Sequence, residues 1–368
     1  MKLRYKISLG VLSILAVAIV SLAVVLSRTS PCGPAPALAG GAETMKAAIH
    51  RCYGPPDIIS VEDVEKPVPA GNEVLVRVRA AAVNPLDWHY MRGSPYIMRL
   101  MSGMGAPDDI RMGVDFAGVV ESVGNDVTRF KPGDEVFGGR SGAFAEFVLI
   151  PENRALVLKP ANVTFEQAAS IPIAAVTALQ ALRDKGKLQP GQKVLINGAS
   201  GGVGTFAVQI AKSMGAEVSG VCSTRNVEMV RSLGADHVFD YKKEDYTESG
   251  QTFDLIVDMV GNHTPLANTQ LLSPEGALVL VGGPKGNWIA PLIRPLQTAV
   301  FSPFVDQEMV TLLAQIKQED LATLAGLMQS GQVTPVIDRN FPLSEIADAI
   351  RYSESGRARG KIIIDPDR

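Results

Sequence analysis

The sequence predicts an α/β chain of two domains, a compact β-barrel-like domain followed by a doubly wound parallel sheet, with one hydrophobic helix ahead of both. Three patterns predict it. Residues 7–27 form an apolar run, residues 45–150 carry short β segments separated by turn signals, and from about residue 193 strand and helix patterns alternate. A length of 368 residues exceeds what one hydrophobic core usually organises, which agrees with two domains.

The first element is "ISLGVLSILAVAIVSLAVVLS", residues 7–27, without charge or proline. As a helix it would extend roughly 31 Å, the thickness of a bilayer core. Two readings stay open, a retained single-pass anchor and a cleaved secretory signal. The run is longer than the hydrophobic part of a signal peptide, so the expectation is a membrane-associated protein whose N-terminal helix partners the membrane. Lys2, Arg4 and Lys6 precede the run and only Arg28 closely follows it, which places the N-terminus inside. The body would then face a compartment poor in soluble nicotinamide cofactor. Residues 28–44 are rich in Pro, Gly and Ala and read as a linker.

From Met45 the pattern turns to strands at 45–51, 73–82, 114–123, 134–137 and 144–150. Turns such as Gly54-Pro55-Pro56 and Lys131-Pro132-Gly133-Asp134 divide them, and no helix-length period interrupts before about residue 165. The rhythm then changes. "KVLINGA" (193–199), "EVSGVCS" (217–223), "HVFDY" (237–241), "DLIVDMV" (254–260) and "ALVLVGG" (277–283) alternate with amphipathic segments, as in a parallel sheet covered on both faces. The tail from 318 holds helices, "VTPVIDR" and "GKIIID", and is expected to return to the first domain. The expected division is 1–27 anchor or signal, 28–44 linker, 45–168 catalytic domain, 169–317 nucleotide domain and 318–368 return.

Composition excludes several functions. Charged residues make up 20% and the net charge is −3, which leaves no electrostatic footprint for nucleic acid. Cys32, Cys52 and Cys222 lack metal-ligand spacing, and their odd number argues against a disulfide framework.

The segment "INGASGGVGTF" runs from a strand through a glycine turn into a helix. Gly201 and Gly204 take the second and third positions of the dinucleotide fingerprint, and Ala199 stands at the first. Gly201 lets backbone approach a pyrophosphate, Gly204 permits close helix–strand packing, and the helix start favours the anion. The next strand ends not in the acid that would hold a ribose but in Ser223, followed by Arg225. A carboxylate would repel a 2′-phosphate, whereas a hydroxyl and a guanidinium bind one. With Tyr241 closing the third strand, the prediction is NADP(H).

These residues carry a resemblance. From Met45 onward the chain resembles the medium-chain dehydrogenase/reductases, and within them the zinc-free quinone oxidoreductase branch. That branch includes alkenal/one reductases and the mitochondrial reticulon-interacting reductase. The matching stretches are "AAVNPLDWHYMRG" (81–93), "GVDFAGVVESVG" (113–124), "FKPGDEVFG" (130–138), "GAFAEFV" (142–148), "ASIPIAAVTALQAL" (169–182), "GASGGVGTFAVQIAK" (198–212), "LGADHVFDY" and "GRARGKIII". The resemblance implies a GroES-like catalytic domain, split in sequence, around a Rossmann domain. It implies that Ser200, Gly202 and Val203 cradle the pyrophosphate and that Thr177 approaches the nicotinamide-side phosphate or ribose. Gly282 and Gly283 would line the nicotinamide pocket, and Arg359 would close over the cofactor. A homodimer is usual in that family.

Zinc-dependent relatives use cysteine and histidine ligands where this chain has Asn84, Asp87 and Asp115. Zinc-assisted alcohol oxidation is therefore not expected. Hydride transfer from NADPH to a quinone or an α,β-unsaturated carbonyl fits, because the acceptor is already polarised. Asn84 is the first candidate to donate to a developing oxyanion, with Tyr90 or Tyr96 as proton donors. Each also has a structural reading, as do Asp87 and Asp115, in turns or core packing. The Met-rich residues 91–112 are either an adaptable lid or surface packing. Two alternatives remain, an NADP-binding scaffold or sensor without turnover, and a reductase of simple aldehydes.

Overall fold

The computed structural model describes residues 17–18, 20–38, 40–283, 286–288 and 290–367. The first domain opens with β1 (Thr44–Ile49), paired antiparallel with β2 (Ser60–Glu65). β3 (Glu73–Val83) is the longest strand among the described residues; Val74–Val76 are buried, then exposed Arg77 and Arg79 alternate with buried Val78 before a continuously buried Ala80–Ala82. Those alanines let other elements approach closely. α1 (Pro85–Arg92) follows directly.

β4 (Asp115–Val123), β5 (Glu135–Gly139), β6 (Phe147–Pro151) and β7 (Leu156–Leu158) build out the antiparallel sheet. α1 interrupts a stretch where the sequence pattern predicts only strands. The local cause is a capping box: the Asp87 carboxylate accepts from the Asn84 backbone N–H at 2.7 Å, and Pro85 pre-sets the first helical residue.

The chain leaves this domain through α2 (Pro172–Leu179) and enters a six-stranded sheet. Its strands are β8 (Lys193–Asn197), β9 (Glu217–Cys222), β10 (His237–Asp240), β11 (Phe253–Asp258), β12 (Leu272–Leu280) and β13 (Glu308–Thr311). They lie in the order β10-β9-β8-β11-β12-β13, and every pairing is parallel. The sheet order reverses beside β8, so the crevice at the strand C-termini opens between β8 and β11, where such sheets bind ligands. α3 (Gly202–Ser213) follows β8 and α4 (Ala290–Phe301) follows β12.

The tail forms β14 (Ile337–Pro342), α5 (Ile346–Glu354) and β15 (Lys361–Asp365). β15 pairs antiparallel with β3, with Ile362 opposite Val83, so the last strand lies in the sheet of the first domain.

Two expectations are corrected. Among the described residues no helix is long and apolar enough to cross a membrane. Residues 7–16 and 19 of the expected span lie outside the described residues, and the helical remainder ends at Ser27. The single-pass anchor, the membrane partner and the membrane location are therefore not supported. The cysteines also depart from expectation. Cys32 is bonded to Cys52, because the chain between them folds back until their Cα atoms stand 4.7 Å apart. Cys222 alone is free, and it is buried.

Candidate active site

The phosphate turn is shaped by what cannot fit there. A Cβ on Gly204 would lie 2.1 Å from the Gly198 carbonyl oxygen, so only glycine lets α3 start this close to the end of β8. A Cβ on Gly201 would meet nothing closer than 3.5 Å, which leaves the backbone open to an incoming group. Gly201 is the N-cap of α3 and supplies no side-chain cap. The first-turn N–H groups of Gly202, Val203 and Gly204 are thus presented to an anion.

Beyond β9, the Asn226 amide donates to the Ser200 hydroxyl at 3.0 Å and to the Ser223 hydroxyl at 3.3 Å. Asn226 is buried and its own Oδ1 accepts from no side chain or backbone group. It therefore fixes two of the predicted cofactor residues at once. The sequence reading passed over it, although it directly follows Arg225 in "CSTRN". Arg225 is exposed and donates through Nη2 to the Arg357 carbonyl at 2.8 Å. Tyr241, 53% exposed, is held beside the end of β9 by its N–H to the Cys222 carbonyl. Arg359 is exposed on the same tail segment. The structure thus gathers Ser223, Arg225, Tyr241 and the tail arginines at one end of the crevice.

At the other end, Gly282 and Gly283 follow β12. A Cβ on Gly282 would lie 2.2 Å from the Met259 carbonyl, so the two loops after β11 and β12 touch through backbone. Asp258, wholly buried, organises this end. It accepts from Arg294 Nη1 at 2.6 Å, from Asn197 Nδ2 at 2.8 Å and from the N–H groups of Val260 and Gly261. Arg294 is itself 4% exposed. Neither residue was singled out in the sequence, because a buried acid and a helix arginine 36 positions apart leave no local mark.

The catalytic-domain wall holds a closed polar cluster. Asn84 is buried, and its amide hydrogens go to the Ala82 carbonyl at 3.2 Å and to Asp115 Oδ2 at 2.9 Å. Its Oδ1 accepts from Lys361 Nζ at 2.5 Å. Asp115 also accepts from the Ile173 N–H at 3.1 Å, an otherwise unsatisfied donor at the start of α2, and faces Lys361 Nζ at 3.4 Å. Both amide hydrogens of Asn84, proposed from sequence as an oxyanion donor, are therefore committed inside the protein.

Burial pushes the Asp87 carboxyl up to about 7, against the opposing effect of the Asn84 N–H. Burial likewise raises Asp115 and lowers Lys361, each opposed by the other's charge. Lys361 reaches the phosphate turn as well. Its Cδ would lie 3.4 Å from a Cβ on Gly202, and the neighbouring Gly360 N–H donates to the Ser200 carbonyl.

Thr177 is buried and its hydroxyl donates to the Ile173 carbonyl, one turn back in α2. Tyr90 is 44% exposed on α1. Tyr96 lies against the loop that follows β12, where its N–H donates to the Asn287 carbonyl at 2.7 Å and its ring meets Trp288 edge-on at 4.6 Å. Among the described residues, Tyr96 is the one catalytic candidate with a contact to the loop beyond Gly283. Among the described residues no group of three His, Cys, Asp or Glu side chains could hold a metal ion.

This geometry agrees with what the chain is similar to. The alcohol dehydrogenase GroES-like domain matches residues 70–161, and the zinc-binding dehydrogenase family matches residues 233–364. The chain is 32% identical over 337 residues to the chloroplastic NADPH-dependent alkenal/one oxidoreductase of Arabidopsis thaliana, covering 88% of this chain and 80% of that one. The solved quinone oxidoreductase of Coxiella burnetii superposes with a TM-score of 0.78 at 31% identity, covering 88% of this chain and 99% of that one. The chloroplast envelope quinone oxidoreductase homolog of Arabidopsis thaliana is 35% identical over 340 residues, 88% of this chain and 98% of that one. Identity sustained along nearly a whole relative reflects common descent, and the chain is an oxidoreductase of the medium-chain dehydrogenase/reductase superfamily.

Proposed function

We propose that this oxidoreductase is an NADPH-dependent, zinc-independent reductase of quinones or α,β-unsaturated carbonyls. The observation that carries the reading is the adenosine end of the crevice. There Ser223, Arg225 and Tyr241 stand beside Arg357 and Arg359, and none of the three arginines is ion-paired with a carboxylate among the described residues. A 2′-phosphate supplies the missing charge. The uncapped start of α3 suits the pyrophosphate, and the unpaired Asn226 Oδ1 leaves an acceptor near the ribose.

When bound, NADPH supplies the hydride. The chain's residues bind, orient and handle the proton. The first-turn N–H groups of α3 hold the phosphates, while Asn226 orients the Ser200 and Ser223 hydroxyls. Thr177, Gly282 and Gly283 bound the nicotinamide end. Tyr96, against the loop that follows β12, gives a proton from its hydroxyl to the reduced acceptor, with the more exposed Tyr90 as the second candidate. Asn84 serves by holding Lys361 and Asp115 rather than by touching the acceptor. Amide, carboxylate and ammonium at these positions polarise no carbonyl through a metal, so an acceptor activated by its own conjugation suits the site. The relatives' names, quinone and alkenal/one oxidoreductases, support that substrate class.

The test incubates the full chain with NADPH and a panel of enones, quinones and simple aldehydes, following loss of NADPH absorbance. Turnover with enones or quinones is expected. Tight NADPH binding without turnover of any acceptor would replace the reading with that of a binding scaffold, and turnover of aldehydes alone would move the substrate class.

A further inference from the structure

Residues 26–32 precede both family matches, yet hydrogen bonds and a disulfide fasten them to the first domain. The joint is Arg99, 3% exposed and without a carboxylate partner among the described residues. Its guanidinium is satisfied by backbone instead. Nε donates to the Gly93 carbonyl at 2.8 Å and Nη2 to the Arg92 carbonyl at 3.2 Å, at the C-terminal end of α1. Nη1 donates to the carbonyls of Leu26 at 2.9 Å and Arg28 at 2.8 Å, where the N-terminal helical segment ends. One cation thus caps two helix C-termini, the end that favours positive charge. The guanidinium lies 4.5 Å from the ring centres of both Tyr53 and Tyr96.

The segment is fastened twice more. The Ser30 N–H donates to the Gly105 carbonyl at 2.8 Å, and Cys32 is bonded to Cys52. On the far side of Arg99 stands Tyr96, whose N–H holds Asn287 and whose ring meets Trp288, while the Ser94 hydroxyl donates to Asn287 Oδ1 at 2.7 Å. The strap, Arg99, Tyr96 and the loop beyond Gly283 therefore form one continuous chain of contacts, reaching from a segment outside the family matches to the acceptor end of the crevice.

We propose that Arg99 is a positioning residue for Tyr96, and that the strap of residues 26–32, locked by Cys32–Cys52, holds Arg99 in place. Opening the disulfide releases the strap and two of the four carbonyls that orient the guanidinium. The acceptor end then loosens, whereas the adenosine end, built on Asn226, Ser223 and the tail, is unaffected. A dithiol opens the bond by exchange: its two electrons and two protons pass to the sulfurs of Cys32 and Cys52, which become thiols, and the reagent leaves as its own disulfide. The catalytic consequence rests on the reductase reading, but the structural one does not.

The experiment uses the full chain with Trp88→Phe, so that Trp288 is the sole tryptophan. Under non-reducing denaturation one thiol should react, that of Cys222, and three would overturn the proposal. Dithiothreitol should shift Trp288 emission, expose residues 26–44 to protease, and raise acceptor KM by about tenfold with NADPH affinity within about twofold. Cys32→Ser should show the same state without reductant and no further response to it. Arg99→Met should match the reduced state, and Arg99→Lys, which cannot fork to four carbonyls, should fall between. Unchanged Trp288 emission and KM in reduced and Cys32→Ser proteins would overturn the proposal. If no acceptor is turned over, emission and protease cleavage still decide it, so its failure is separable from that of the reductase reading.

Discussion

Lys361 Nζ donates to Asn84 Oδ1 at 2.5 Å across 277 positions of sequence, joining the last strand of the chain to the first turn after β3. Both residues are 2% exposed, and Asp115, wholly buried, completes the set. Removing one charge leaves the other buried and unpaired. Lys361→Met should therefore lower unfolding free energy by ~3–5 kcal/mol, while Lys361→Met with Asp115→Asn should recover much of that loss. Denaturant titration of both variants measures it, and equal destabilisation by the single and double variants would show that the charges do not act as a pair.

Asp87 supplies a pH dependence whose sign is fixed. Its folded value of about 7 lies above the ordinary 3.8, so the native state binds the proton more tightly than the unfolded chain. The stability this contributes is fully present below the ordinary value and is lost as pH rises through about 7. Asp87→Asn keeps an acceptor for the Asn84 N–H and removes the titration. Its stability relative to wild type should climb between pH 3.8 and about 7 and level off above. A difference that is flat over this range would mean the carboxylate stays charged in the folded protein.

The proposed preference for NADPH is tested at Arg225. Under the NADPH reading, Arg225→Ala removes a charge-assisted contact with the 2′-phosphate and should weaken NADPH by ~10–100-fold, with NADH changed little. Titration of intrinsic fluorescence with each coenzyme gives both constants. Equal weakening of the two would reassign Arg225 to the tail contact it makes with the Arg357 carbonyl.

Gly204→Ala tests the phosphate turn itself. The added methyl would stand 2.1 Å from the Gly198 carbonyl oxygen and 2.7 Å from Ala199 Cα, both backbone, so α3 must move away from the turn. Under the same reading the displaced N–H groups serve the pyrophosphate common to both coenzymes, so a loss of at least ~tenfold in affinity for either is expected. Wild-type binding by this variant would place the anion site elsewhere.

Much of the nucleotide domain was legible because its signals are local. The apolar runs of β8, β9 and β11 alternate with helices, and Gly201 and Gly204 stand at fixed offsets from a strand end. β2, β7, β13 and α1 were missed. β13 is four residues long, and α1 depends on a cap between Asn84 and Asp87 that reads equally well as a turn. The apolar N-terminal run was read as a membrane span from length and hydropathy alone. Arg99 and Cys52, the residues that tie its end to the body, carry no sign of that role in the sequence.

The sequence by itself determined the strand and helix rhythm, the glycine turn and the replacement of an acid by Ser223 and Arg225, since each is written within a few residues of backbone. Only the tertiary structure decided that Lys361 meets Asn84 and Asp115, that Arg294 meets Asp258, and that Arg99 receives the carbonyls of Leu26 and Arg28. Buried polar groups must be satisfied by whatever the packed fold brings within reach, and distance along the chain does not set those meetings.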